Sequence, residues 1–332
     1  MSLLSVNQPW DPLKACVVGR SYPPEFYSWI KVPHVRELFE KIARETEEDY
    51  QAIVNKLVEF GVEVIRPDLP TEAFNSHGHV QIPPMQPRDN AIMIGNCFYH
   101  TYYGPQWQPV LDYVKDHGNL STSAGPRWLN GAMVSRVGKD LYFGSYQAEP
   151  YDDMRKYAAQ QFSDYRSHVI ETFGHTDGTF CPVAPGLIVS LHDIPTYTKT
   201  FPGWEVVYLP NQSWAQVQGF LTLKQKNAGR WWIPGFEHDQ DVIDCVETWL
   251  SHWVGYVEET VFDVNMLTVN PTNVIVNNYN KTVFEAFDRH GITAHVIPFR
   301  HRYFWDGGIH CITLDLDRSG ERQDFFPERP HV

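Results

Sequence analysis

The chain has 332 residues and carries 40 Asp and Glu against 27 Lys and Arg, a formal net charge of −13 at pH 7. With 42% hydrophobic and 20% charged residues it has the composition of a soluble globular protein. The acidic balance, with no Lys/Arg cluster to override it, argues against a nucleic-acid partner, and no run approaches the roughly 20 apolar residues of a membrane span.

From the N-terminus, residues 1–10 lack a basic segment followed by an apolar one, so a cytoplasmic protein is expected. Residues 15–19 read as a strand, 35–60 as a long helix stopped by Gly61, and 62–66 as a returning strand. Residues 91–94 form a strand followed by a helix at 108–116. Strands at 132–137 and 141–144 precede a helix over 152–162 and a strand at 169–170. A further unit starts at 187–191 and returns at 204–209. Residues 211–255 fit this rhythm badly and read as an insertion, although Val242, Cys245, Val246, Trp249, Leu250 and Trp253 have helical spacing. Strands at 265–269 and 274–277 flank Asn270-Pro271-Thr272-Asn273; a helix over 281–290, its stop at Gly291 and a strand at 292–297 follow. Residues 312–316 alternate as a last strand. The pattern is one of several β-β-α-β units, a fold built by repetition. No linker or charge block divides it, so a single domain over 1–332 is expected.

Five cysteines, Cys16, Cys97, Cys181, Cys245 and Cys311, are odd in number and lack C-x-x-C spacing, against a disulfide framework or a structural zinc site. Cys311 follows the Gly307-Gly308 turn and opens the last strand, which sets a sulfur at a loop edge where the backbone approaches a ligand closely. A thiolate in such a site is a nucleophile when a neighbouring cation, a guanidinium or an imidazolium, favours it. His175-Thr176-Asp177 has two chemical readings. On an extended segment both side chains point to one face, with His175 as acid/base and Asp177 accepting from a guanidinium; alternatively, H-x-D with His295, His301 or His310 would make a 2-His-1-carboxylate iron site. Asp89 precedes a strand, and Leu129-Asn130-Gly131 reads as a turn.

Taken together these segments resemble the amidinotransferases of the pentein superfamily, which also contains arginine deiminases and dihydrolases. The similarity runs through Asn7 to Arg20 (N-Q-P-W-D-P-L-K-A-C-V-V-G-R), Pro87-Arg88-Asp89, His175-Thr176-Asp177-Gly178-Thr179-Phe180 and Gly307-Gly308-Ile309-His310-Cys311, the last with the histidine before cysteine that marks the transferase branch. The resemblance implies an α+β fold, a pentein-type α/β propeller of five pseudo-symmetric ββαβ units around a central channel. It implies Cys311 as nucleophile, His175 as general acid/base, and Asp89 and Asp177 as guanidinium-binding carboxylates. The expected activity is transfer of an amidino group from an arginine-like guanidino donor to an amine acceptor through S-amidino-cysteine, with no cofactor and no metal; a homodimer is compatible with it. The alternatives are a guanidino-hydrolysing pentein and, in another class, a non-catalytic guanidine-binding protein.

Two departures bear on substrate. Asn130-Gly131 stands where the family has a carboxylate, and Asp193-Ile194-Pro195 stands where it has D-R-P, whose arginine grips the donor's α-carboxylate. L-arginine is therefore expected to be a poor donor. Glu258-Glu259 is a candidate contact for an ammonium group, and Arg302 a candidate replacement grip on a carboxylate.

Overall fold

Val35, Phe39, Ile42, Ala43, Tyr50, Ile53 and Leu57 form one buried stripe along Pro33–Glu59 (α1), the spacing of a helix with a single apolar face. This helix joins Leu13–Val18 (β1) to Glu63–Ile65 (β2), and β2 lies parallel to β1. The computed structural model describes residues 3–101, 104–122, 126, 128–145, 151–172, 174–191, 197–210, 212, 233–250, 253 and 263–329, and within it the same order recurs. Ala91–Ile94 (β3) pairs antiparallel with Cys97–His100 (β4), Gln108–Asp116 (α2) follows, and Leu120–Thr122 (β5) returns parallel to β4. Val134–Val137 (β6), Asp140–Ser145 (β7), Tyr151–Gln161 (α3) and Arg166–Glu171 (β8) repeat it. So do Phe180–Ala184 (β9), Leu187–Ser190 (β10), Tyr197–Thr200 (α4) and Glu205–Tyr208 (β11). Gln240–Trp249 (α5) stands outside the repeat. Leu267–Asn270 (β12), Asn273–Val276 (β13), Lys281–Arg289 (α6) and Thr293–Val296 (β14) form another unit. After Arg302–Trp305 (α7), Thr313–Arg318 (β15) pairs antiparallel with β1, so the two ends of the chain close the first unit.

The described residues thus form five three-stranded sheets, each with its leading strand at one edge. An edge strand ordinarily meets water on one side. Here β3 is buried throughout and β15 nearly so, whereas the opposite edges, β5 and β14, are exposed or half-exposed. The leading strands therefore face the interior of a five-unit ring, as the family resemblance implied and the repeated ββαβ pattern allowed. No described helix is long and apolar enough to cross a membrane.

The interior is charged as well as apolar. Asp315 on β15 is buried and accepts from Arg88 Nη1 (3.0 Å), Arg136 Nη2 (2.8 Å) and Arg318 Nε (2.7 Å), all three arginines buried with it. Burial opposes ionisation of this carboxyl, but Arg136, Arg88 and Arg318 outweigh it and hold Asp315 well below the usual carboxylate range. The guanidinium groups carry the network outward. Arg88 Nε reaches the carbonyls of His310 and Thr313, Arg136 Nη1 that of Met93, and Arg318 those of Asp11 and Thr268.

Three differences from the sequence reading have local causes. β9 is absent from the sequence pattern because Pro182 argues against a strand, yet β9 lies at a sheet edge, where a missing N–H is tolerated. β6 starts at Val134, two residues later than expected, because Asn130 Oδ1 accepts from the Ala132 and Met133 amides and holds a turn there. In the expected insertion at 211–255, α5 contributes Val242 and Val246, joined by Leu250 and Trp253, to the core around α1. Residues 211, 213–232, 251, 252, 254 and 255 of that stretch lie outside the described residues, as do Asp193-Ile194-Pro195 and Glu258-Glu259.

Helices α1, α2 and α6 stop alike. In α6 the Gly291 amide bonds the Asp288 carbonyl and the Ile292 amide the Phe287 carbonyl, with Gly291 at φ +67°, the double hydrogen bond that a left-handed glycine permits. A side chain at Gly291 would meet open space, so Gly291→Ala isolates the backbone term. It is expected to lower stability by about 1 kcal/mol, measured by urea unfolding, with Gly291→Asn losing less.

Candidate active site

Cys311, Asp89, Asn130, His175, Asp177 and Asn265 share one position in the repeat. Each lies a few residues before a leading strand, β15, β3, β6, β9 or β12. Since those strands face the interior, their N-terminal ends gather residues that are far apart in sequence at one end of the ring.

Asn265 organises the centre. Its Oδ1 accepts from the backbone amides of His310 (2.8 Å) and Cys311 (3.3 Å), while Nδ2 donates to Cys311 Sγ (3.1 Å) and to the Asp177 carbonyl (3.1 Å). Gly308 is required beside it, because a Cβ there would lie 2.4 Å from Asn265 Oδ1. Cys311 is fully buried, and its thiol donates to Asp177 Oδ2 at 3.4 Å. His310 Nδ1 lies 2.7 Å from the same oxygen. Burial, and then the positive charge of Arg88, push the His310 imidazole down to about 4, so at neutral pH it is uncharged and donates through Nδ1–H. Burial alone would raise Asp177, but the hydrogen bond from His310, with His175 and Arg88 as nearby cationic groups, holds it below its ordinary range. The second carboxylate oxygen, Oδ1, is buried and accepts no hydrogen bond from the described residues.

Residues 176–178 form a 3-10 turn rather than the extended segment expected from sequence, closed by Gly178 N to His175 O and Thr179 N to Thr176 O. His175 precedes this turn with extended backbone angles and is half-buried, near enough to Asp177 for its charge to act on the carboxylate. Asp89 ends the Pro87–Asp89 turn next to Arg88. Asn130 is buried, with Oδ1 committed to its own turn. Arg302 is not brought into this group by any contact; its Nη1 donates to Asp263 Oδ1 (2.6 Å) and its guanidinium lies over the Tyr303 ring. Of the histidines considered for a metal, His295 bonds Asn273 and His301 bonds Glu45, each away from His175 and Asp177.

Sequence reading named no role for Asn265 and weighed His310 only as a metal ligand and as the mark of the transferase branch. For Asn265 the available signal was its place before a leading strand, equivalent to Asp89 and Asn130.

No family model matches the sequence. It is 25% identical to the mitochondrial glycine amidinotransferase of Xenopus tropicalis, over 96% of this chain and 83% of that one. Among solved structures, it resembles the inosamine-phosphate amidinotransferase of Streptomyces griseus with a TM-score of 0.68 at 20% identity, over 98% and 99% of the two chains. DDAH from Pseudomonas aeruginosa, at 12% identity over 91% and 99%, gives a TM-score of 0.52. The fold is therefore the pentein ring that the family resemblance implied, and the similarity to amidinotransferases extends over nearly the whole chain.

Two outcomes follow from the geometry. The His310 imidazole takes its proton near pH 4 in the folded protein but near 6.5 in the unfolded chain; its contribution to stability is complete above about pH 6.5 and shrinks as pH falls toward 4. His310→Gln is expected to lose less stability between about pH 7 and about pH 5 than the parent, by urea titration. Asn265→Ala removes a donor to sulfur worth about 1 kcal/mol, and alkylation of Cys311 by iodoacetamide at neutral pH is expected to slow by roughly fivefold.

Proposed function

We propose that the protein is an amidinotransferase in which Cys311 attacks the guanidino carbon of a donor. The observation that carries the reading is the Cys311 thiol 3.4 Å from the buried Asp177 carboxylate, a nucleophile beside an anion suited to a guanidinium. Without substrate, a carboxylate at that distance disfavours the thiolate. A guanidinium hydrogen-bonded to Asp177, with Asp89 as second carboxylate, reverses that effect and activates sulfur when a target is in place.

His175 takes the Cys311 proton as the sulfur–carbon bond forms and passes it to the departing amine as the carbon–nitrogen bond breaks, and S-amidino-Cys311 remains. An acceptor amine attacks that carbon, His175 takes its proton, and the sulfur–carbon bond breaks to regenerate the thiol. Asn130 contributes an amide where the relatives' motif has a carboxylate, which removes a charge from the substrate's surroundings. His310 holds Asp177 in place by hydrogen bonding. Arg302 serves as a carboxylate grip only by exchanging Asp263 for substrate. Residues 1–332 act as one catalytic domain with an insertion at 211–255. Five free cysteines accord with a reducing, cytoplasmic setting, and the described structure is compatible with a homodimer.

Mass spectrometry after incubation with agmatine or L-arginine tests this directly. An amidino adduct on Cys311 is expected, discharged by an added amine with formation of the guanidino product; discharge by water alone would identify a hydrolase. Cys311→Ala is expected to abolish turnover, and His175→Asn to lower it by at least roughly 10²-fold. Full activity in Cys311→Ala overturns the assignment, and absence of any adduct or turnover favours a non-catalytic guanidine binder.

A further inference from the structure

A cavity of about 180 Å³ lies on the same end of the ring, between residues 82–86 and 90 on one side, Gln106 and Trp107 on another, and Trp253 and Trp305. Two of its walls continue into the site. Asn90 follows Asp89, and Trp305 opens the turn that leads to Cys311. Gln86 fixes that turn, its Nε2 donating to the Trp305 and Asp306 carbonyls at 2.7 Å each.

Among the described residues the lining is uncharged and includes three tryptophans. Trp305 Nε1 donates to Thr46 Oγ1 (2.8 Å) and Trp253 Nε1 to the Val80 carbonyl (2.9 Å), residues outside the cavity, so both indoles offer it carbon surface. Trp253 and Trp305 are stacked with centroids 5.8 Å apart at 24°. The remaining described walls are Ile82, Pro83, Pro84, Met85, Trp107 and the side-chain amides of Gln86, Asn90 and Gln106. No described lining residue is Lys, Arg or His, so a carboxylate placed there would lose its water without gaining a counter-charge. An apolar or aromatic group gains from the same surface, and an ammonium is tolerated by indole faces. The volume suits a single ring, since an apolar cavity of roughly 150 Å³ takes benzene.

We infer that this cavity is the subsite for the carbon skeleton of the substrate amine, and that it selects aromatic or aliphatic amines lacking a carboxylate. The inference rests on the amidino-transfer reading for its place in the reaction, but binding can be measured without turnover. 2-Phenylethylamine and L-phenylalanine differ only in the carboxylate. Titrated into the Cys311→Ala protein with tryptophan fluorescence as readout, 2-phenylethylamine is expected to bind at least tenfold more tightly. Trp253→Ala in that background should weaken it by at least tenfold. Gln106→Arg, at a half-exposed position that leaves the core intact, should narrow the preference by at least threefold through a new partner for the carboxylate. Equal affinity for the two compounds, no binding of either, or a preference untouched by Gln106→Arg overturns the inference. Selective binding combined with no amidino adduct on Cys311 in the parent protein would instead retain the subsite and overturn amidino transfer.

Discussion

The structure depends on the buried carboxylate of Asp315 and the three arginines around it. One anion and three cations in a dry interior are unfavourable unless each group finds further partners. They do so by reaching carbonyls at His310, Thr313, Met93, Asp11 and Thr268. Those partners lie in or beside β15, β3, β1 and β12, and Arg136 itself belongs to β6. The network therefore joins separate units where their leading strands meet, and removing one member would leave buried charge exposed to its like.

The same network sets the chemistry at the end of the ring. Arg88 holds the His310 carbonyl, and its charge is the second cause, after burial, that keeps the imidazole neutral. Neutral His310 donates to Asp177, which lies beside the Cys311 thiol. Asn265 closes the arrangement by binding backbone on both sides of it. Three units thus meet at one sulfur: β15 follows Cys311, β9 follows Asp177 and β12 follows Asn265. A shift of any leading strand would change distances that hydrogen bonding now holds near 3 Å.

Aromatic packing connects the surroundings to this centre. Phe26 stacks on Tyr22, Tyr22 on Trp253 and Trp253 on Trp305. The column runs from the segment after β1, through the stretch that breaks the repeat, to the turn before Cys311. The part of the chain that fits the repeat least well therefore contributes a wall beside the site, and it gives the pentein ring of this protein a cavity of its own chemistry.

How much could be read from the residues alone follows from the range over which each interaction acts. Helices α1, α2 and α6, and the glycine stops of α1 and α6, were visible because apolar periodicity and left-handed backbone are local properties. The repeat and the cysteine after Gly307-Gly308 were visible for the same reason, and the H-x-D and P-R-D segments gained meaning only together. β9 and β5 were not visible, since Pro182 opposes a strand and β5 is exposed on every residue; sheet pairing across the unit makes both. Tertiary structure also decided the partners of each candidate. Arg302 meets Asp263, Asn130 holds its own turn, and Asp177 shares one oxygen with His310 and Cys311. Asn265, 46 residues from Cys311, gave no sequence sign of touching it, because a side-chain amide reports its hydrogen bonds only once the ring has closed and brought the strand ends together.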